Sequence, residues 1–270
     1  MSLNFKNSFR IMNKDWSENI KIKEIFLPII FLPIIFTIGM PILMLIGVLF
    51  DPAEYTSAFS YFPLELLNIP PYYNDYLRAA SLMIKMLIMP FFLLIPGLLP
   101  SVIASDSFAG EKERKTMESL LLLPISKSEL IIGKVLTSFI PSVIVNFICF
   151  LMNGLTVNLM LLPHLEGNIL LFSDVTFLLM VSILAPILAF LNILIAIIIS
   201  SRSKNLKSAQ SINGALVLPI ISVLFIQMFN PAFLSPLSVL IISLIIGGIS
   251  IFFIDLANRL LDVEKLILMI

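Results

Sequence analysis

The sequence predicts an all-α membrane protein with six spanning helices, and three observations carry that reading. Of its 270 residues, 59% are hydrophobic and only 13% are charged, whereas a soluble domain is close to half apolar and about a quarter charged. The mean hydropathy of +1.06 leaves apolar surface that has to face lipid. The charges also cut the chain into apolar runs of about 20 residues, the length at which a helix crosses a bilayer with every backbone amide bonded internally. Lys and Arg gather on alternate connections between these runs, as an even number of crossings requires.

Residues 1–24 are polar and precede the first run. Phe5, Phe9, Met12, Trp16 and Ile20 recur at helical spacing, with Lys6, Arg10, Asn13, Lys14, Ser17 and Lys21 on the remaining surface. This pattern predicts an amphipathic helix lying in the membrane interface or, alternatively, packed on a soluble partner. Spans are expected at about 25–50, 79–105, 135–162, 175–201, 208–229 and 236–254. The last two come from one charge-free stretch that Asn230-Pro231 and Ser235-Pro236 divide. The whole of 1–270 reads as one transmembrane domain.

Orientation follows from the basic residues. Lys6, Arg10, Lys14, Lys21 and Lys23 precede the first span. Lys112, Arg114, Lys115, Lys127 and Lys134 follow the second, Arg202, Lys204 and Lys207 the fourth, and Arg259 and Lys265 the sixth. The opposite connections hold only Arg78. Both termini and the 106–134 loop are therefore expected in the cytosol, with 51–78 as an outer segment of a multi-pass protein of the cell membrane. All five tyrosines (Tyr55, Tyr61, Tyr72, Tyr73, Tyr76) fall in that outer segment, where an interfacial belt is expected.

Several function classes are disfavoured. Zero net charge and a pI near 6.6 give no basic face for nucleic acid. The single cysteine, Cys149, and single histidine, His164, allow no disulfide within the chain and no His/Cys metal site. No catalytic residues are expected: a membrane protease or metalloenzyme needs paired acids and histidines inside the spans. An ion-coupled carrier needs titratable groups there, and the spans hold almost none. Lys85 is expected to snorkel outward. The deep polar groups Asn146, Asn153, Asn192 and Gln227 either line a path or hydrogen-bond another helix, and the packing role is the preferred one. The many prolines within the spans permit bends.

The segment Ser105 to Lys134 carries the most information. Gly110 is expected to end the second helix, and a new helix to run from Glu111 to Pro124, supported by Glu111–Lys115 and Arg114–Glu118 pairs. Ser126-Lys127-Ser128-Glu129 fits a capping box, flanked by Ile125 and Leu130 as a hydrophobic staple, so another helix starts there and enters the third span. A rigid helix–corner–helix results. It is either a lever that transmits a push or a structured surface loop without a partner.

The residues Gly110, Glu111, Lys112, Glu113, Thr116, Glu118, Leu120, Leu121, Pro124, Ser126, Gly133 and Lys134 resemble the signature of the type-2 ABC transporter permeases. Met117 stands where leucine is expected, and Arg114 and Glu129 complete the segment. Asn13-Lys14-Asp15-Trp16 and Asp262-Val263-Glu264-Lys265-Leu266 resemble the family's ends more loosely. The resemblance implies an exporter subunit that pairs with a second permease, as a homodimer or with a sister subunit, and docks a cytosolic ABC ATPase. The Glu111–Leu123 helix would be the coupling element. No Gly-x-x-x-x-Gly-Lys-Ser/Thr phosphate loop is present. This chain is accordingly expected to bind no cofactor, with ATP and Mg on the partner ATPase. An ion-coupled carrier and a non-transporting membrane scaffold are the alternatives.

Overall fold

The computed structural model describes residues 5–19, 23–58, 60, 67–116, 126–203 and 205–260. All regular secondary structure among the described residues is helical. Among the described residues, six helices are long and apolar enough to cross a membrane: Ile30–Phe50, Asp75–Glu113, Ser128–Met160, Val175–Arg202, Leu206–Gln227 and Pro236–Ala257. They are called the first to sixth spans. The N-terminal helix α1 (Phe5–Asn19) precedes them.

The second span is the hub. Its apolar window is 83% buried, against 17% for the fifth and sixth. A helix surrounded by others shields its side chains from lipid, whereas a peripheral helix keeps an apolar face turned outward. Leu82, Met86, Met89, Phe92 and Ile95 fill the centre. Phe92 meets Phe177 of the fourth span edge-on at 5.1 Å, and Phe177 packs on Phe150 of the third at 5.4 Å.

The prolines leave a specific signature. Three π-helical segments, Ile35–Gly39, Ile84–Ile88 and Met180–Leu184, each end two residues before a proline (Pro41, Pro90, Pro186). Proline has no N–H, and its ring crowds the carbonyl one turn back. Widening the preceding turn relieves that crowding. Met40, Met89 and Ala185 accordingly donate to carbonyls five residues earlier, Ile35, Ile84 and Met180. Deep amides serve the same regions. Asn146 donates to the Val181 carbonyl at 3.2 Å, and Gln227 donates to the Lys85 carbonyl at 3.2 Å while accepting from Leu234 N. Asn192 bonds within its own helix, to Leu188 O. Asn153 is fully buried, and neither end of its amide meets a partner among the described residues.

Sequence and structure part in several places. The second span runs longer at both ends than expected. The fifth is interrupted at Ala215–Leu216, between helices Leu206–Gly214 and Val217–Phe229. Lys85 turns toward the start of the fourth span, where it is 7% exposed and pairs with Asp174, the N-cap of that span. Of the tyrosines, Tyr73 is buried and Tyr76 stacks on His164 with ring centroids 3.8 Å apart. Tyr72 is exposed, and Tyr61 lies outside the described residues.

Candidate coupling site

The segment between the second and third spans begins as a continuation of the second span. Helix persists through Gly110 in a π turn (Asp106–Gly110) and ends after Glu113. Its stop is a Schellman motif: Lys115 N donates to Lys112 O, Thr116 N donates to Glu111 O, and Lys115 sits in the left-handed region at φ +57°. Gly110 is thus no helix breaker, and no new helix begins at Glu111. The expected Glu111–Lys115 pair is replaced, because Lys115 lies past the helix end and Glu111 points inward. Met117, Glu118, Leu120, Leu121 and Pro124, with the remainder of the expected coupling helix and Ile125 of the staple, lie outside the described residues.

Gly110 has a different task. A Cβ there would stand 2.1 Å from Asp106 Oδ1. The bare backbone lets Arg114 reach over Gly110 and bond both Asp106 oxygens, at 2.9 Å each. Asp106 is fully buried, and a two-pronged guanidinium is the partner that best satisfies such a carboxylate.

A second set of charges sits beside it. Lys134, at the start of the third span, is completely buried. It donates to Glu111 Oε2 at 2.5 Å and to the Ser107 carbonyl, and lies 4.9 Å from the centre of the Phe108 ring. Its Nζ is also 3.7 Å from Asp15 Oδ2 of α1, and Lys14 donates to Glu111 Oε1 at 3.4 Å. Two acids and two bases therefore balance where α1, the second span and the third span meet. Burial, the largest influence, pushes the Asp15 carboxyl above the usual carboxylate range; Lys134 pulls it back and Glu111 adds to the rise.

The α1 helix uses a face other than the apolar one its spacing suggests. Ser8, Ile11 and Asp15 are buried against the protein, while Phe9 is 47% exposed. Met12 and Trp16 border a groove with Ile140, Pro141 and Ile144 of the third span. Close contact is possible because residue 133 is glycine: a Cβ would stand 2.9 Å from Ile11 Cβ and 3.0 Å from Ser8 O. The capping box is present at the same junction, with Glu129 N donating to Ser126 Oγ and Ser126 N to Glu129 Oε2. Asn7 and Ser8 of α1 bond the side chain and the carbonyl of that Glu129.

The connection between the fourth and fifth spans joins in. Lys112 donates to Ser201 O, and Glu113 Oε2 accepts from Leu206 N at 3.0 Å. One short stretch, Glu111 to Glu113, thus ties together α1 and the second, third, fourth and fifth spans. Glu113 to Thr116 are all exposed.

The family model described as ABC-2 family transporter protein matches residues 9–257. The chain belongs to that family. A search of the curated proteins finds no match. This ABC-2 protein is a multi-pass membrane permease of the ABC type. The structure brings together its Gly110, Glu111, Lys112, Glu113, Arg114, Ser126, Glu129, Gly133 and Lys134, with Thr116 closing the Schellman turn. It does not bring Asn146, Asn153, Asn192 or Gln227 to this junction. Asp15 and Asp106 are central here, yet spacing alone does not single them out. The signal available for Asp15 was its place beside Trp16, and for Asp106 a lone acid at the end of an apolar run.

Proposed function

We propose that this permease is the membrane-spanning subunit of an exporter in the cell membrane, with both termini and the 106–134 connection in the cytosol. It pairs with a second permease, a copy of itself or a sister chain. A separate ABC ATPase binds ATP and Mg and supplies the work; this chain performs no catalysis alone. The observation that carries the reading is the tie at Glu111–Glu113. A displacement applied to the exposed Glu113–Thr116 rim is passed to five helices at once, because buried charged bonds rather than flexible chain connect them. The sequence has no phosphate loop, and Lys85, Asp106, Glu111 and Lys134, the charges that the spans bury, are each held in an ion pair, which favours an external engine over an ion gradient. The apolar spans suit a hydrophobic or amphipathic cargo.

The test avoids Glu111 and Glu113, whose side chains are occupied within the fold. Lys115→Glu reverses a charge on the exposed rim and leaves the Thr116 hydroxyl bonded to Glu111 O. Co-purification of an ABC ATPase encoded beside this gene should fall at least tenfold while the permease remains monodisperse. Retention of the ATPase at the parental level refutes the docking assignment. Uptake of labelled amphiphiles into inside-out vesicles carrying both subunits then decides direction.

A further inference from the structure

At the end of the bundle remote from α1 lies a cavity of about 470 Å³, within the roughly 300–1,000 Å³ that small-molecule pockets occupy. It opens between the start of the second span, the start of the fourth, and Pro236 of the sixth. Its floor holds the Lys85–Asp174 ion pair. Lys85 is ten residues into the second span, about 15 Å along a helix, and an ionisable residue at such a position marks a functional site unless its role is purely structural. A structural role is a poor account of this pair. Ion pairs shielded from water generally stabilise no more than apolar residues of similar size, and Asp174 keeps 17% of its side chain exposed at the cavity.

Two further features point to a ligand. The Ser81 and Thr176 side chains line the cavity on residues 5% and 3% exposed, and neither hydroxyl bonds any described residue. Tyr72 and Tyr73 form an edge-to-face pair at the cavity wall, centroids 5.3 Å apart, and an aromatic face attracts an ammonium group. The charge balance selects the ligand class. A lone anion would take Lys85 and strand Asp174, and a lone cation would do the reverse. Leaving a largely shielded charge without its counter-charge is unfavourable, and the Lys85 and Asp174 side chains are only 9% and 17% exposed. A molecule carrying both an ammonium and an anion can split the pair and satisfy both halves.

We propose that this cavity binds a small zwitterion, its phosphate or carboxylate on Lys85, Ser81 and Thr176 and its ammonium on Asp174 and the tyrosines. The zwitterion is a free solute or a lipid headgroup. The site is complete within one chain, so it stands independently of the ATPase and of the exporter reading.

The experiment uses the purified full-length chain without ATPase. Calorimetry in detergent compares glycerophosphoethanolamine with glycerol 3-phosphate and with ethanolamine. A second arm compares thermal midpoints in nanodiscs of phosphatidylethanolamine and of phosphatidylglycerol. Binding of the zwitterion should be at least tenfold tighter than either probe carrying one sign of charge, or the phosphatidylethanolamine discs should raise the midpoint. Either effect should weaken at least tenfold, or vanish, in Lys85→Met and in Asp174→Asn. Asparagine keeps the oxygen that caps the fourth span, so Asp174→Asn preserves the fold; Ser81→Ala should weaken binding about threefold. Calorimetric binding identifies an aqueous ligand, and a midpoint shift alone identifies a headgroup. No zwitterion preference in either arm, or a preference untouched by all three substitutions, overturns the proposal.

Discussion

At the scale of single residues, two glycines and one lysine decide the junction. Gly110 is needed because the Asp106–Arg114 bond passes directly over it. Gly110→Ala should cost about 1–3 kcal/mol through forced displacement and separate the two charges, which thermal unfolding in detergent would record. A normal melting profile would mean that the arginine is not held there. Lys134 illustrates the asymmetry of buried charge. Lys134→Met should destabilise by about 3 kcal/mol or more, since Glu111 loses its closest partner. Lys134→Met with Glu111→Gln should recover much of the loss. Additive single effects in this double-mutant cycle would argue against a direct bond.

At the scale of elements, α1 behaves as a latch on the third span. Gly133→Ala adds a Cβ 2.9 Å from Ile11 Cβ, and it should lower hydrogen-exchange protection in α1 selectively. The latch should also respond to pH. Burial raises Asp15 above its unfolded value, so the docked helix binds the proton more tightly than the free one. Docking is then strongest below the unfolded value, near 3.9, and weakens as pH rises through the raised value. Exchange protection factors for α1 should therefore increase as pH falls from neutral toward 4. Asp15→Asn should flatten that dependence, and a persisting slope would assign it to another group. The three π segments ahead of Pro41, Pro90 and Pro186 belong to the same scale: each spares a proline a clash, and two of them also expose a carbonyl that Asn146 or Gln227 takes up.

At the scale of the whole molecule, charge and burial define two ends. One end carries α1, the Asp15, Glu111 and Lys134 charges and the exposed Glu113–Thr116 rim; the other carries Tyr72, Tyr73 and the Lys85–Asp174 cavity. Basic residues favour the first as the cytosolic end. Cysteines placed at Thr116 and at Ser57, both exposed, should react with an impermeant maleimide from opposite sides of the membrane. The native Cys149 is 2% exposed and leaves the background low. Labelling of Thr116→Cys from outside the cell would invert the proposed orientation.

Composition and charge spacing alone determined that the chain is helical and crosses the membrane six times, because lipid admits few alternatives for a backbone that must bond itself. The capping box at Ser126 and the break near Pro231 were legible for a similar reason, since both are local rules of backbone bonding. Only the tertiary structure decided where the charges go. Glu111 faced Lys115 by helical spacing, yet it bonds Lys134, 23 residues away. Lys85 turns toward the end of its span as its place in the sequence suggests, but the partner it meets there, Asp174, lies 89 residues away. Inside a low-dielectric interior a charge is held by whichever opposite charge the packing of distant helices delivers, and no period in the sequence encodes that meeting.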